Sequence, residues 1–260
     1  MEVVIVDDRD AAGALVGKAV AALVAQRPTA VIGLATGSTP APVYRELVRR
    51  HRKGDLSLAR VRGFLLDEYV GLPADHPERY RAVITRELEE HVDFGDGAVR
   101  APQVDRDDLT AACDDYESDI AAAGGVDLQI LGIGRDGHIG FNEPGSSLAS
   151  RTRIKTLTDQ TRRDNARFFG SLDEVPRHVV TQGIGTILGA RHLVLLAFGE
   201  AKAGAVAQAV EGPVTAMVPA SALQLHPHAT VVIDEPAATQ LRLGDYYRET
   251  WAHKPAWQGL

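Results

Sequence analysis

Six short aliphatic runs, separated by stretches whose apolar residues recur at helical spacing, constrain this chain more than any other feature. They are residues 2–6, 30–35, 61–66, 126–133, 192–198 and 229–234, rich in Val, Ile and Leu and almost free of charge. Each reads as a strand buried on both faces. Between them lie helical patterns at Asp10–Gln26, Ala41–Lys53, Pro77–His91, Leu109–Ala122 and Ala201–Val210. In the first of these, Leu15, Ala19, Ala22 and Leu23 are expected to form the buried face. Strand and helix in alternation predict an α/β fold around a mostly parallel, helix-covered sheet. With no linker, composition break or internal repeat, the 260 residues are expected to form one domain.

The formal charge of −7 argues against a broad basic face for nucleic acid and leaves room for a local anion pocket. Cys113 is the only cysteine, so neither an intrachain disulfide nor a thiolate-rich zinc site can form. A reducing, cytoplasmic setting is expected. The opening "MEVVIVDDRD" lacks a basic leader, and no apolar span is long enough for a bilayer. With the first strand at residue 2, an N-terminal DNA-reading module, and with it a transcription regulator, is not expected.

In open parallel sheets ligands bind beyond the carboxyl ends of the strands, and four residue clusters fall there. "LATGSTP" (34–40) joins a strand to a helix: Gly37 permits a close turn, and Ser38 and Thr39 offer hydroxyls to an anion or, alternatively, a cap to the helix. The stretch has neither a Walker lysine nor a dinucleotide fingerprint. "LLDEYVGL" puts Asp67 and Glu68 after the third strand, as a general base or as a turn cap. "GIGRDGHIGFNEPGSS" (132–147) gathers Asp136, His138 and Glu143, groups able to move protons at neutral pH, with no metal-site spacing such as HExxH. "FGEAKAGA" (198–205) places Lys202 at a helix start, unfavourable for the dipole unless an anion offsets it. Arg167, in the polar segment 158–177, could add a cation from a mobile lid or an ordinary surface helix. An anion site beside separate acid–base groups points to an enzyme acting on a phosphorylated small molecule.

These residues resemble the glucosamine-6-phosphate deaminase (isomerase) family, and the likeness runs almost end to end. It is carried by "ATGSTP", "LDEYVGLP", "LGIGRDGHIGFNEPGSSLASRTR", "TLTDQTRRDNARFF", "VPRHVVTQGIGTIL", "FGEAKA" and "SALQLHPHATVVIDEPA". The resemblance implies a modified Rossmann-like, three-layer α/β fold and conversion of glucosamine 6-phosphate and water into fructose 6-phosphate and ammonia without a cofactor. It assigns Asp67 the C2-to-C1 proton transfer and His138, assisted by Asp136 and Glu143, the ring opening. Gly37, Ser38, Thr39, Arg167 and Lys202 would hold the 6-phosphate. Ser147, Arg153 and Lys155 resemble the effector site at which N-acetylglucosamine 6-phosphate activates hexameric members. Arg79, Val83 and Ile84 depart from the family's pattern, as does the C-terminal "DYYRETWAHKPAWQGL". The nearest enzymatic alternative is a 6-phosphogluconolactonase-like hydrolase, expected to lack the Asp67–Tyr69 segment and the Phe141–Pro144 context.

Overall fold

The computed structural model describes residues 1–260, the side chain of Ala256 apart. Its strands are β1 (Glu2–Val6), β2 (Val31–Leu34), β3 (Arg62–Leu65), β4 (Asp67–Tyr69), β5 (Val99–Arg100), β6 (Leu128–Gly132), β7 (Arg153–Thr156), β8 (His178–Thr181), β9 (Leu193–Ala197) and β10 (Ala229–Asp234). Seven of them form one sheet in the order β1-β10-β9-β6-β2-β3-β5, parallel at every pairing. All six expected runs are in it, flanked on both sides by helices. The order reverses between β2 and β6, where a crevice opens at the strand ends.

A second sheet, β4-β8-β7, is antiparallel and was not anticipated. Its strands are only three or four residues long, too short for a period-2 pattern to stand out. It matters for the site, because the chain leaves β3 at Leu65 and enters β4 at Asp67 within two residues.

The helices are α1 (Arg9–Gln26), α2 (Ala41–Arg52), α3 (Tyr80–Glu87), α4 (Leu109–Ala122), α5 (Asp159–Asn165), α6 (Ile184–Ile187), α7 (Ala203–Glu211), α8 (Glu235–Ala238) and α9 (Gly244–Ala252). The expected face of α1 is wrong. Ala12, Gly13, Val16, Gly17, Val20 and Val24 are buried, whereas Leu15, Ala19 and Leu23 are half-buried and Ala22 is exposed. The helix is apolar nearly all round, so spacing alone could not choose a side. Packing chose the side with glycines: a Cβ on Gly13 would lie 2.6 Å from the Pro42 carbonyl oxygen of α2. The leucine side instead lines a groove with Trp251, Trp257 and Leu260 of the C-terminal segment.

The helix expected over residues 77–91 is shorter at both ends. Arg79 is extended, and a 3-10 turn at Glu89–His91 follows α3. Likewise a 3-10 turn at Glu200–Lys202 precedes α7. Among the described residues no helix is long and apolar enough to cross a membrane.

Behind the sheet, away from the crevice, His192 is buried and stacks on His228 with ring centroids 3.6 Å apart. Burial, with His228, His226 and Lys254 nearby, pulls its pKa down to about 3. The unfolded chain therefore takes up this proton first, at about pH 6.5. Folding stability should fall as pH drops below that value, by up to about 1.4 kcal/mol per pH unit, until about pH 3. Urea midpoints between pH 7.5 and 5 should decline with a slope that flattens in His192→Asn.

Candidate active site

Four adjacent strands, β9, β6, β2 and β3, end at one cavity of about 510 Å³. Its walls hold Gly37, Ser38, Thr39, Asp67, His138, Arg167 and Lys202, residues spread over 166 positions of sequence, from 37 to 202. The sheet brings most of them together because the loops after β2 and β3 on one side of the reversal and those after β6 and β9 on the other all leave the carboxyl ends of parallel strands, while Arg167 comes from the turn after α5.

After β2, Gly37 turns at φ +95°, a conformation that L side chains rarely adopt. The Tyr44 hydroxyl of α2 fixes the loop's start, donating to the Ala35 carbonyl (2.6 Å) and accepting from the Ala35 amide (3.1 Å). Pro40 stands at the N-cap of α2, and no side chain caps the helix. The capping alternative for Ser38 and Thr39 is thus removed, and both line the cavity.

After β3 the two acids divide their work. Glu68 is the cap: its carboxylate accepts the backbone amides of Tyr69, Tyr80 and Arg81, each at 2.9 Å, and so anchors the start of α3. Asp67 faces the cavity at 6% exposure. Burial, reinforced by the Glu68 charge, pushes its carboxyl well above the ordinary carboxylate range. A carboxylate with raised proton affinity is a stronger base near neutral pH. Around it stand Tyr69, pushed up to about 12 mainly by burial, and the buried Tyr80, which lines the cavity.

After β6, His138 Nδ1 lies 2.7 Å from Asp136 Oδ1, while the His138 amide donates to the same oxygen at 3.2 Å. The ring contact is close but off-axis, an alignment that tightens on substrate binding in many enzymes. Burial would raise the Asp136 carboxyl, but the hydrogen bond and charge of His138 outweigh it and hold it below its usual range. The imidazole packs directly over Gly134, where a Cβ would lie 2.2 Å from ring Cε1.

The third group of this stretch, Glu143, hydrogen-bonds towards α5. Buried and outside the cavity lining, it accepts from the Thr158 amide (3.2 Å) and hydroxyl (3.0 Å) and from the Thr161 hydroxyl. It ties the acid–base loop to the start of α5. Segment 158–177 supplies a cavity wall through Thr161, Asp164, Asn165, Arg167 and Phe168. It is fastened below by the buried Arg162, which donates to the Leu172 and Val175 carbonyls, and beside by Asn165, which donates to the Tyr69 hydroxyl at 2.9 Å.

After β9, Lys202 donates to the Ile133 carbonyl at 2.7 Å. Burial lowers its pKa, and the charges of Arg135 and Arg167 lower it further against Asp164 and Asp136. Arg135, Tyr80 and Asn165 line the cavity but were not singled out in the sequence. Only Arg135 carried a signal, as a cation between Gly134 and Asp136.

Ser147, Arg153 and Lys155 do not line this cavity. Ser147 is exposed, and Arg153 and Lys155 share one half-buried face of the edge strand β7. Burial lowers the Arg153 guanidinium pKa. The departures at Arg79, Val83 and Ile84 are absorbed by packing. Arg79 is buried and pairs with Asp105 through two contacts of 2.9 and 3.0 Å, Ile84 is fully buried, and Val83 backs the cavity.

The chain is 62% identical over the full length of both sequences to a glucosamine-6-phosphate deaminase of Mycolicibacterium smegmatis. It is 61% identical, again over both full lengths, to one of Streptomyces avermitilis. Among solved structures it resembles a monomeric glucosamine-6-phosphate deaminase with a TM-score of 0.90 and 42% identity, covering 92% of this chain and 100% of that one. A 6-phosphogluconolactonase from Thermotoga maritima shares the fold alone, with a TM-score of 0.71 at 20% identity over 90% of this chain and 98% of that one. The family profile described as glucosamine-6-phosphate isomerases/6-phosphogluconolactonase matches residues 8–233. By sequence and fold, the chain belongs to that family.

Proposed function

We propose that the protein is a glucosamine-6-phosphate deaminase, converting glucosamine 6-phosphate and water to fructose 6-phosphate and ammonia. One observation carries the reading beyond likeness: a buried carboxylate of raised proton affinity, Asp67, shares a cavity with the His138–Asp136 pair and with cations. Ring opening needs a group that moves a proton between the anomeric hydroxyl and the ring oxygen, a role suited to His138 held by Asp136. Asp67 then takes the C2 proton and returns it at C1. This leaves an imine at C2, to which water adds as ammonia departs. One base over two neighbouring carbons requires a fixed substrate. Ser38, Thr39, the Gly37 turn, Lys202 and Arg167 suit the 6-phosphate, whose binding energy holds C1 and C2 in place. Segment 158–177 acts as the lid over the bound sugar, and Glu143 links that lid to the His138 loop.

The 6-phosphogluconolactonase alternative has less support, since the deaminase relatives match at about three times its identity. A cytoplasmic location fits the single cysteine. Activation by N-acetylglucosamine 6-phosphate at Ser147, Arg153 and Lys155, and assembly into a hexamer, are finer readings supported by the shared face of Arg153 and Lys155. Against assembly stands the monomeric description of the structural relative. One experiment addresses all of these: ammonia and fructose 6-phosphate formation by purified protein, with and without the effector, alongside sedimentation velocity. Equal amounts of both products are expected, and release of neither would sink the deaminase reading. Superimposable saturation curves would remove the effector, and a 28-kDa species would remove the hexamer.

A further inference from the structure

The cationic end of the cavity holds one more charge than the residues assigned to the phosphate. Arg135 lines the cavity in the loop after β6, two residues beyond the carbonyl that accepts from Lys202. Its charge is the largest electrostatic influence on the half-buried Lys202 amine, ahead of Arg167. Its neighbour Asp136 is engaged with His138, and among the described residues no carboxylate pairs with the Arg135 guanidinium. Asp164, which also faces Lys202, accepts from Gln160 at 2.9 Å. Three cations from three separate segments, Arg135, Arg167 and Lys202, therefore converge on one end of the cavity, where their mutual repulsion favours a multiply charged anion.

We infer that Arg135 is a third cationic ligand of the substrate phosphate, setting affinity for a dianion without taking part in the proton transfers. This rests on the sugar-phosphate reading above. The guanidinium is exposed on a loop, so it can reach a phosphate held by Lys202 and be replaced without disturbing the core.

The test is Arg135→Ala beside Arg135→Lys, with kinetics on glucosamine 6-phosphate and calorimetric binding of inorganic phosphate. In Arg135→Ala, KM should rise roughly 10- to 100-fold, as for loss of a charge-assisted hydrogen bond, while kcat stays within about twofold. Arg135→Lys should recover part of the loss, and phosphate affinity should weaken in parallel. Unchanged KM and phosphate affinity would overturn the assignment. So would a fall in kcat at constant KM, which would place Arg135 behind the Asp136–His138 pair. If wild-type protein released no ammonia, the deaminase reading would fall, and the phosphate titrations would still decide whether Arg135 is an anion ligand.

Discussion

Asp67→Asn is expected to lower kcat by roughly 10²- to 10⁴-fold, about 3 to 5 kcal/mol of barrier, while leaving substrate affinity within a few-fold of wild type. The amide is nearly isosteric with the carboxylate and keeps the cavity's shape, but it cannot accept the C2 proton. The phosphate ligands are untouched, so binding should survive. Exchange of the C2 hydrogen with solvent is the decisive readout: it should vanish with turnover, and rapid exchange in the variant would remove Asp67 as the base. A second consequence follows from linkage. Because burial and the Glu68 charge raise the folded pKa of Asp67, its ionisation destabilises the native state as pH rises from the unfolded value through the folded one. Asparagine carries no such penalty. The variant should therefore melt at or above the wild-type temperature at neutral pH, so lost activity cannot be ascribed to unfolding.

The second large effect should come from one methyl group. In Gly134→Ala the new Cβ would stand 2.2 Å from Cε1 and 2.3 Å from Nδ1 of His138. Gly134 is not among the glycines with positive φ, so alanine strains no backbone there, and the three atoms nearest the new Cβ all belong to the imidazole. The ring must shift from its place beside Asp136, and for the proposed role of His138 a displacement of about 1 Å can cost 10²-fold in rate. A loss of kcat of that order is expected with little change in melting temperature. If the methyl acts through His138, combining Gly134→Ala with His138→Gln should cost little more than His138→Gln alone. Additive losses would show that Gly134 matters for another reason. Full activity in Gly134→Ala would mean that the His138–Asp136 contact is not needed.

The aliphatic runs determined the central sheet, because strands buried on both faces must be apolar throughout and so stand out in any reading. Motif composition likewise picked out Gly37, Asp67, His138, Arg167 and Lys202, each just past a strand or at a helix edge, and the cavity gathers all five. Strand pattern and motifs together were enough for the α/β layout, the candidate chemistry and the family. Tertiary structure decided what depends on neighbours distant in the chain. That Glu68 caps α3 could not be read from two adjacent acids; the amides of Tyr80 and Arg81 claim its carboxylate, and Asp67 is left facing the cavity. The face of α1 went to its glycines because α2 approaches there, and the Glu143 contacts to Thr158 and Thr161 span a separation that no local pattern displays. Arg135 became notable only beside Lys202 and Arg167, since a charge has meaning only through the charges facing it.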